Sequence, residues 1–174
     1  MFFKKNGIWR RPEQNIGGCF VLIDPKTGRE LEEIANTIVG DGADAFLRSL
    51  FRGEATAPAT YYLGLTNASY TFASATLTAI AAGEPSGNGY ARQALVKNTS
   101  DWAVSAVNNQ YKAESISVTF TASGTWSPNW TRMFLCNASS GTSGIVFALS
   151  GARSAQVVQS GQGPTLKYRF WLRA

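Results

Sequence analysis

Leu166-Lys167-Tyr168-Arg169-Phe170-Trp171-Leu172 places Leu, Tyr, Phe and Leu at every second position. Successive side chains of a strand point to opposite faces, so this period buries one face and leaves Lys167, Arg169 and Trp171, followed by Arg173, on the other. The same period recurs upstream in Ile145, Phe147 and Leu149, and in Ser115-Ile116-Ser117-Val118-Thr119-Phe120-Thr121. Further strands are expected at 61–66, 90–97, 130–137 and 154–159. Turn-rich stretches such as Ser123-Gly124, Ser139 to Ser143 and Ser160 to Pro164 separate them. About seven or eight short strands with turn signals between them predict a mainly β protein, an antiparallel β-sandwich of jelly-roll type.

Working toward the amino end, Glu84-Pro85-Ser86-Gly87-Asn88-Gly89-Tyr90-Ala91-Arg92 reads as framework punctuation. Its Pro presets φ, and its Gly and Asn accept positive φ. The stretch from Ala73 to Ala82 is small-residue padding, a short helix or a long loop. Asp41 is placed to cap a helix over 42–52, with Ala43, Phe46, Leu47, Leu50 and Phe51 on one stripe and Gly53 as the stop. That stripe is expected to be core. Cys19 to Ile23, the turn Asp24-Pro25-Lys26-Thr27-Gly28 and Arg29 to Val39 predict a hairpin. The expected organisation is a docking arm with hairpin and helix, residues 1–55, followed by a sandwich, residues 56–174.

Charge divides unevenly. Residues 1–54 hold eight basic and eight acidic side chains, whereas 55–174 hold eight basic against Glu84, Asp101 and Glu114. The first eleven residues carry Lys4, Lys5, Arg10 and Arg11 without an acid, together with Phe2, Phe3, Ile8 and Trp9. An apolar, basic terminus gains most by docking. No apolar run approaches a membrane span, and no h-region of a secretory signal stands at the start, so use without export is expected. Four Asn-x-Ser/Thr matches, from Asn67, Asn98, Asn129 and Asn137, carry no weight without that route.

The chain has no histidine, which removes Ser/His and Cys/His nucleophile pairs. Cys19 and Cys136 stand 117 residues apart without a metal-ligand pattern and read as free buried thiols rather than a disulfide. Glu84, Asp101 and Glu114 are the acids available for a glycosidase pair, but turn and solvent-face duties account for them. Gly83-x-x-x-Gly87-x-Gly89 lacks the Lys-Ser/Thr of a phosphate loop, and Asp41-x-x-Asp44 is too sparse for calcium. No cofactor, no metal and no catalysis are expected. Two binding features carry rival readings. Lys167, Arg169, Trp171 and Arg173 form a basic row suited to nucleic acid, or else a charge-guarded edge strand with Trp171 in a subunit contact, which is preferred. Trp102, Tyr111, Trp126 and Trp130 could build a sugar-stacking platform, although aromatics in strands more often serve as core.

Residues 60–174 resemble small tailed-bacteriophage virion proteins. The likeness is carried by Tyr62-Leu63-Gly64-Leu65-Thr66, the Glu84–Arg92 turn, Trp102, Ile116-x-Val118-x-Phe120, and Trp126 ahead of Phe134-Leu135-Cys136-Asn137-Ala138. A weaker similarity, from the hairpin through Asn36-Thr37-Ile38-Val39 and the helix, is to modules that attach fibres or accessory proteins to a phage particle. The resemblance implies a non-enzymatic virion component assembled in the host cytoplasm. It would decorate, cement or adapt the particle by docking on major capsid, neck or tail proteins, as a homo-oligomer without membrane contact. Phe2, Phe3, Trp9, Arg10, Arg11, Trp171 and Arg173 are the expected contact residues. The rival functions are a carbohydrate- or host-receptor-binding module and a DNA-contacting head protein, with nucleic acid disfavoured.

Overall fold

The structure, a computed structural model, describes residues 3–5, 8–10, 16–54, 57–69, 75–107 and 110–173. The elements in chain order are β1 (Phe3–Lys5), β2 (Ile8–Arg10), β3 (Ile16–Ile23), β4 (Glu30–Ile38), α1 (Gly40–Leu47) and β5 (Thr60–Thr66). There follow α2 (Leu77–Ala81), β6 (Gln93–Val96), β7 (Trp102–Val107), β8 (Gln110–Ser115) and β9 (Val118–Thr119). Last come β10 (Arg132–Cys136), β11 (Val146–Ser150) and β12 (Thr165–Arg173). A π-helical turn, Arg48–Arg52, prolongs α1 and ends at Gly53 in the left-handed region, φ 64°.

Ten strands form one antiparallel sheet in the order β6-β5-β10-β11-β4-β3-β12-β8-β7, with β9 also on β12. The sheet turns back on itself at β4. Its Glu30–Ala35 segment pairs with β3, while Asn36–Ile38 pair with β11. Two halves thus face each other as a sandwich that is nearly a closed barrel. Phe20, Leu166 and Tyr168 from one half meet Leu63, Leu65, Leu95, Met133, Leu135 and Ala148 from the other, with Phe120, Trp126 and Trp130 filling one end. Tyr61 of β5 touches Trp102 of β7 edge-on at 5.9 Å, joining the two rims.

The mainly β, sandwich-like class and the hairpin are as expected, and four local readings are corrected. The hairpin is no appendage: β3 and β4 sit in the middle of the sheet, because their apolar residues, Phe20 above all, complete the shared core. Val39, not Asp41, occupies the helix N-cap, and no side chain caps it. The alternation of Ser115–Thr121 yields only the two-residue β9. Ser115 Oγ donates to Ile116 O and accepts from Tyr168 N, and this diverts the chain between β8 and β9. Strand 154–159 reduces to a bridge between Trp130 and Gln156, while the hairpin β7–β8 was not foreseen.

Ala73 to Ala82 is more than padding where it is described. Thr76 caps α2 by accepting from Ala79 N at 3.3 Å. Ala75, Leu77 and Ile80 then cover Phe134, Cys136 and Leu149 on the outer face of β10 and β11. That outer face is closely fitted. A Cβ on Gly64 would lie 2.2 Å from the Phe134 ring, so the ring packs where only glycine leaves room.

Candidate interaction surface

The Glu84–Arg92 turn is confirmed as framework and proves more deeply engaged than a surface turn. Gly87, Asn88 and Gly89 take φ of 66°, 48° and 79°, the left-handed region open to Gly and tolerated by Asn. The carbonyl of Asn88 accepts from Trp126 Nε1 at 3.0 Å. Glu84, given a turn duty on sequence, performs it as a largely shielded partner of Arg92. Arg92 Nε and one terminal nitrogen donate to the two carboxylate oxygens at 3.0 and 2.6 Å, and the rest of the guanidinium serves Ala138 O and Gly141 O. Tyr90 Oη also donates to Glu84, at 2.7 Å, and burial pushes this phenol well above its ordinary range. The carboxylate is occupied in bracing its own turn, which Arg92 ties to the β10–β11 loop.

Glu114 was expected to face solvent and instead holds the outer face of β12. It accepts from Arg169 Nε, and from Lys167 and Lys112 at 3.1 and 3.3 Å. Glu30 and Glu33 complete the network on Lys167 and Arg169. Burial alone would raise the Glu114 pKa, but the hydrogen bonds from Arg169 and Lys167 hold it down at about 2. Lys167 and Arg169 of the basic row are therefore neutralised within the molecule rather than presented to phosphate. Nor is β12 an edge strand, since β3 and β8 flank it. Asp101 accepts from Val96 N at 2.7 Å and fixes the β6–β7 turn.

The aromatic platform does not form. Trp126 and Trp130 are buried in the core, Trp102 packs on Tyr61, and Tyr111 stands apart on β8. Cys19 and Cys136 are free and buried, and burial pushes the Cys19 thiol up to about 12. Among the described residues no group of three His, Cys, Asp or Glu could hold a metal, and no helix is long and apolar enough to cross a membrane.

Of the expected contact residues, Phe2 and Arg11 lie outside the described residues, as do the side chains of Phe3, Trp9, Arg10 and Arg173. Trp171 is half-buried. It pairs in register with Gly17, where a Cβ would fall 2.8 Å from the indole, and it packs against Cys19, Val21 and Ile23. Trp171 thus lies at the root of the amino-terminal segment.

The surface that sequence reasoning missed is the open end of the sandwich. Strands β3, β12, β8 and β7 overhang the facing half, and register aligns their inner-face residues in rows. Phe20 and Tyr168 belong to the core, Gly18, Phe170, Ala113 and Val104 come next, and Ile16, Leu172, Tyr111 and Ala106 form the outermost row. Helix α1 closes one side. A Cβ on Gly42 would stand 2.5 Å from Phe147 Cα, so the absence of a side chain lets the helix backbone rest on β11. Between helix, overhang and the 97–99 turn lies an apolar cavity of about 610 Å³, floored by Tyr61, Leu135, Phe147 and Tyr168.

The helix stripe expected in the core is largely outside it. Phe46 reaches Phe170 at 6.4 Å yet remains 45% exposed, while Leu50 and Phe51 are 61% and 75% exposed. No element among the described residues covers those side chains. Periodicity reported an apolar face correctly but could not tell whether this chain covers it.

A family model described as podophage GP4 fiber I protein gp80 matches residues 42–168, from α1 to the inner tyrosine of β12. The chain belongs to that family. As a gp80-family chain it is a structural component of a phage, in keeping with the resemblance in its β strands and its Glu84–Arg92 turn. The match does not extend over β3 and β4, although these occupy the centre of the sheet. No curated protein and no solved structure matches the chain.

Proposed function

We propose that this chain is a non-enzymatic subunit of a phage fiber or its attachment, joined to the particle by apolar burial. The observation that carries the reading is the exposed ridge Phe46, Leu47, Leu50 and Phe51 beside an apolar cavity, on a molecule whose core is otherwise closed. Contiguous apolar surface of this kind marks a protein interface. The family description supports a fiber setting over decoration or cementing of the capsid. Phe2, Phe3, Trp9, Arg10 and Arg11 act as this chain's side of the attachment, with Trp171 and Arg173 at its root. A major capsid, neck or tail protein supplies the other side.

The test is incorporation. Particles assembled with a chain lacking residues 1–15, and separately with Leu50→Lys/Phe51→Lys, should contain at least tenfold less of this chain than wild type while the purified variants keep the wild-type circular dichroism. Wild-type incorporation of both variants would overturn the reading. Neither rival binding mode is favoured by the geometry. The tryptophans named for sugar stacking are core or rim packing, and Lys167 and Arg169 are engaged with carboxylates.

A further inference from the structure

We infer that the open mouth receives the amino-terminal segment, residues 1–15, of a second copy of this chain, which adds its β1–β2 ladder to the free edge of β7. The starting observation is the edge itself. Strand β7 ends the sheet, and Ala103, Val104, Ser105 and Ala106 are all exposed, so both faces are bare. Trp102–Val107 contains no charge and no Pro, the devices by which edge strands usually discourage pairing. At the other end of the sheet β6 is different: Val96 N is bound by the Asp101 carboxylate, which folds back on that edge. An extended segment on β7 continues the apolar inner row to its end, and its inward side chains fall over the cavity. Main-chain pairing then supplies affinity and the cavity supplies selection.

Where the chain begins its fold identifies the occupant. Ile16, the first residue of β3, lines the cavity, so every residue before it originates at the mouth. Those fifteen residues carry Phe2, Phe3, Ile8 and Trp9, with Lys4, Lys5, Arg10 and Arg11 against the single acid Glu13. Asp41 and Asp101 stand next to the lining residues Gly42 and Trp102, opposite in sign to that segment, with Lys97 the cation in the lining. The β1–β2 ladder forms a sheet of its own, so it has free edges to offer.

Reach selects a second copy over the chain's own segment. From β3 a strand added beyond β7 lies four strand spacings away, about 19 Å. The link from Arg10 to Ile16 spans about 20 Å only when fully stretched. The chain's own ladder would arrive taut, whereas a neighbour's arrives slack. The exchange goes beyond the particle attachment proposed above, and it is read out by self-association in the absence of any other phage protein, so the two can fail separately.

Sedimentation velocity on the full-length protein provides the test, with Val104→Lys at the edge, Trp9→Asp in the segment, and their mixture. Wild type should self-associate, and each variant alone should associate at least tenfold more weakly with an unchanged thermal transition. The mixture should regain a one-to-one pair, because Trp9→Asp keeps an intact mouth and Val104→Lys an intact segment. Ala106→Arg serves as a second edge variant if Val104→Lys alters the transition. A wild-type chain that stays monomeric up to about 100 µM, edge variants that associate like wild type, or a mixture that does not recover would each overturn the proposal.

Discussion

At the scale of single residues the two carboxylates Glu84 and Glu114 illustrate opposite consequences of pairing. Glu84 and Arg92 are both shielded from water, with side chains 13% and 2% exposed. Removing one member strands the other, which costs about 3–5 kcal/mol for a buried pair. Arg92→Met should therefore lower unfolding stability by that order in urea titrations, whereas Arg48→Met, whose partners Asp44 and Glu54 are exposed, should change it by less than about 1 kcal/mol. Glu114 makes stability depend on pH. Its folded pKa of about 2 lies below the ordinary value of 4.5, so the stabilisation is complete above 4.5 and is lost as pH falls toward 2. Glu114→Gln should flatten the acid limb of a stability–pH profile between pH 4.5 and 2, and an unchanged limb would show that Lys167 and Arg169 find other partners.

At the scale of elements, α1 depends on one glycine. Its backbone rests on Phe147 through Gly42, so Gly42→Val should lift the helix and speed amide exchange over Gly40–Leu47 at least tenfold, leaving β10 and β11 protected. The sequence made this element legible, down to the Gly53 stop, but not its surroundings. An apolar stripe states that water is to be excluded without naming the neighbour that excludes it. A strand with a dry inner face and a charged outer face, such as β12, was readable for the same reason that β7 was not. Ala103, Val104, Ser105 and Ala106 are exposed on both faces, so Trp102–Val107 has no alternation to detect. The Ser115–Thr121 segment shows the converse, since a faultless alternation gave way to a serine hydroxyl competing for backbone partners. The contact residues of the first eleven positions were inferred from composition alone, and the apolar mouth beside their point of entry was invisible because it is assembled from eight separate segments of chain.

At the scale of the whole molecule, β4 belongs to both halves of the sandwich. Its first part pairs with β3 and its last three residues with β11, so neither half keeps a complete set of ladders without it. Unfolding should accordingly be one transition, with calorimetric and van't Hoff enthalpies equal and tryptophan fluorescence coincident with far-ultraviolet circular dichroism. Separate transitions would mean that residues 16–38 dissociate from the remainder.

The Asp24–Gly28 turn has a practical use. It is exposed and closed by its own hydrogen bonds, Lys26 N and Thr27 Oγ1 both donating to Asp24, and it sits about 25 Å along β3 from Ile16 at the mouth. A short epitope spliced between Lys26 and Thr27 would mark the pole opposite the cavity. Antibody decoration of intact phage would then report which way each subunit is oriented.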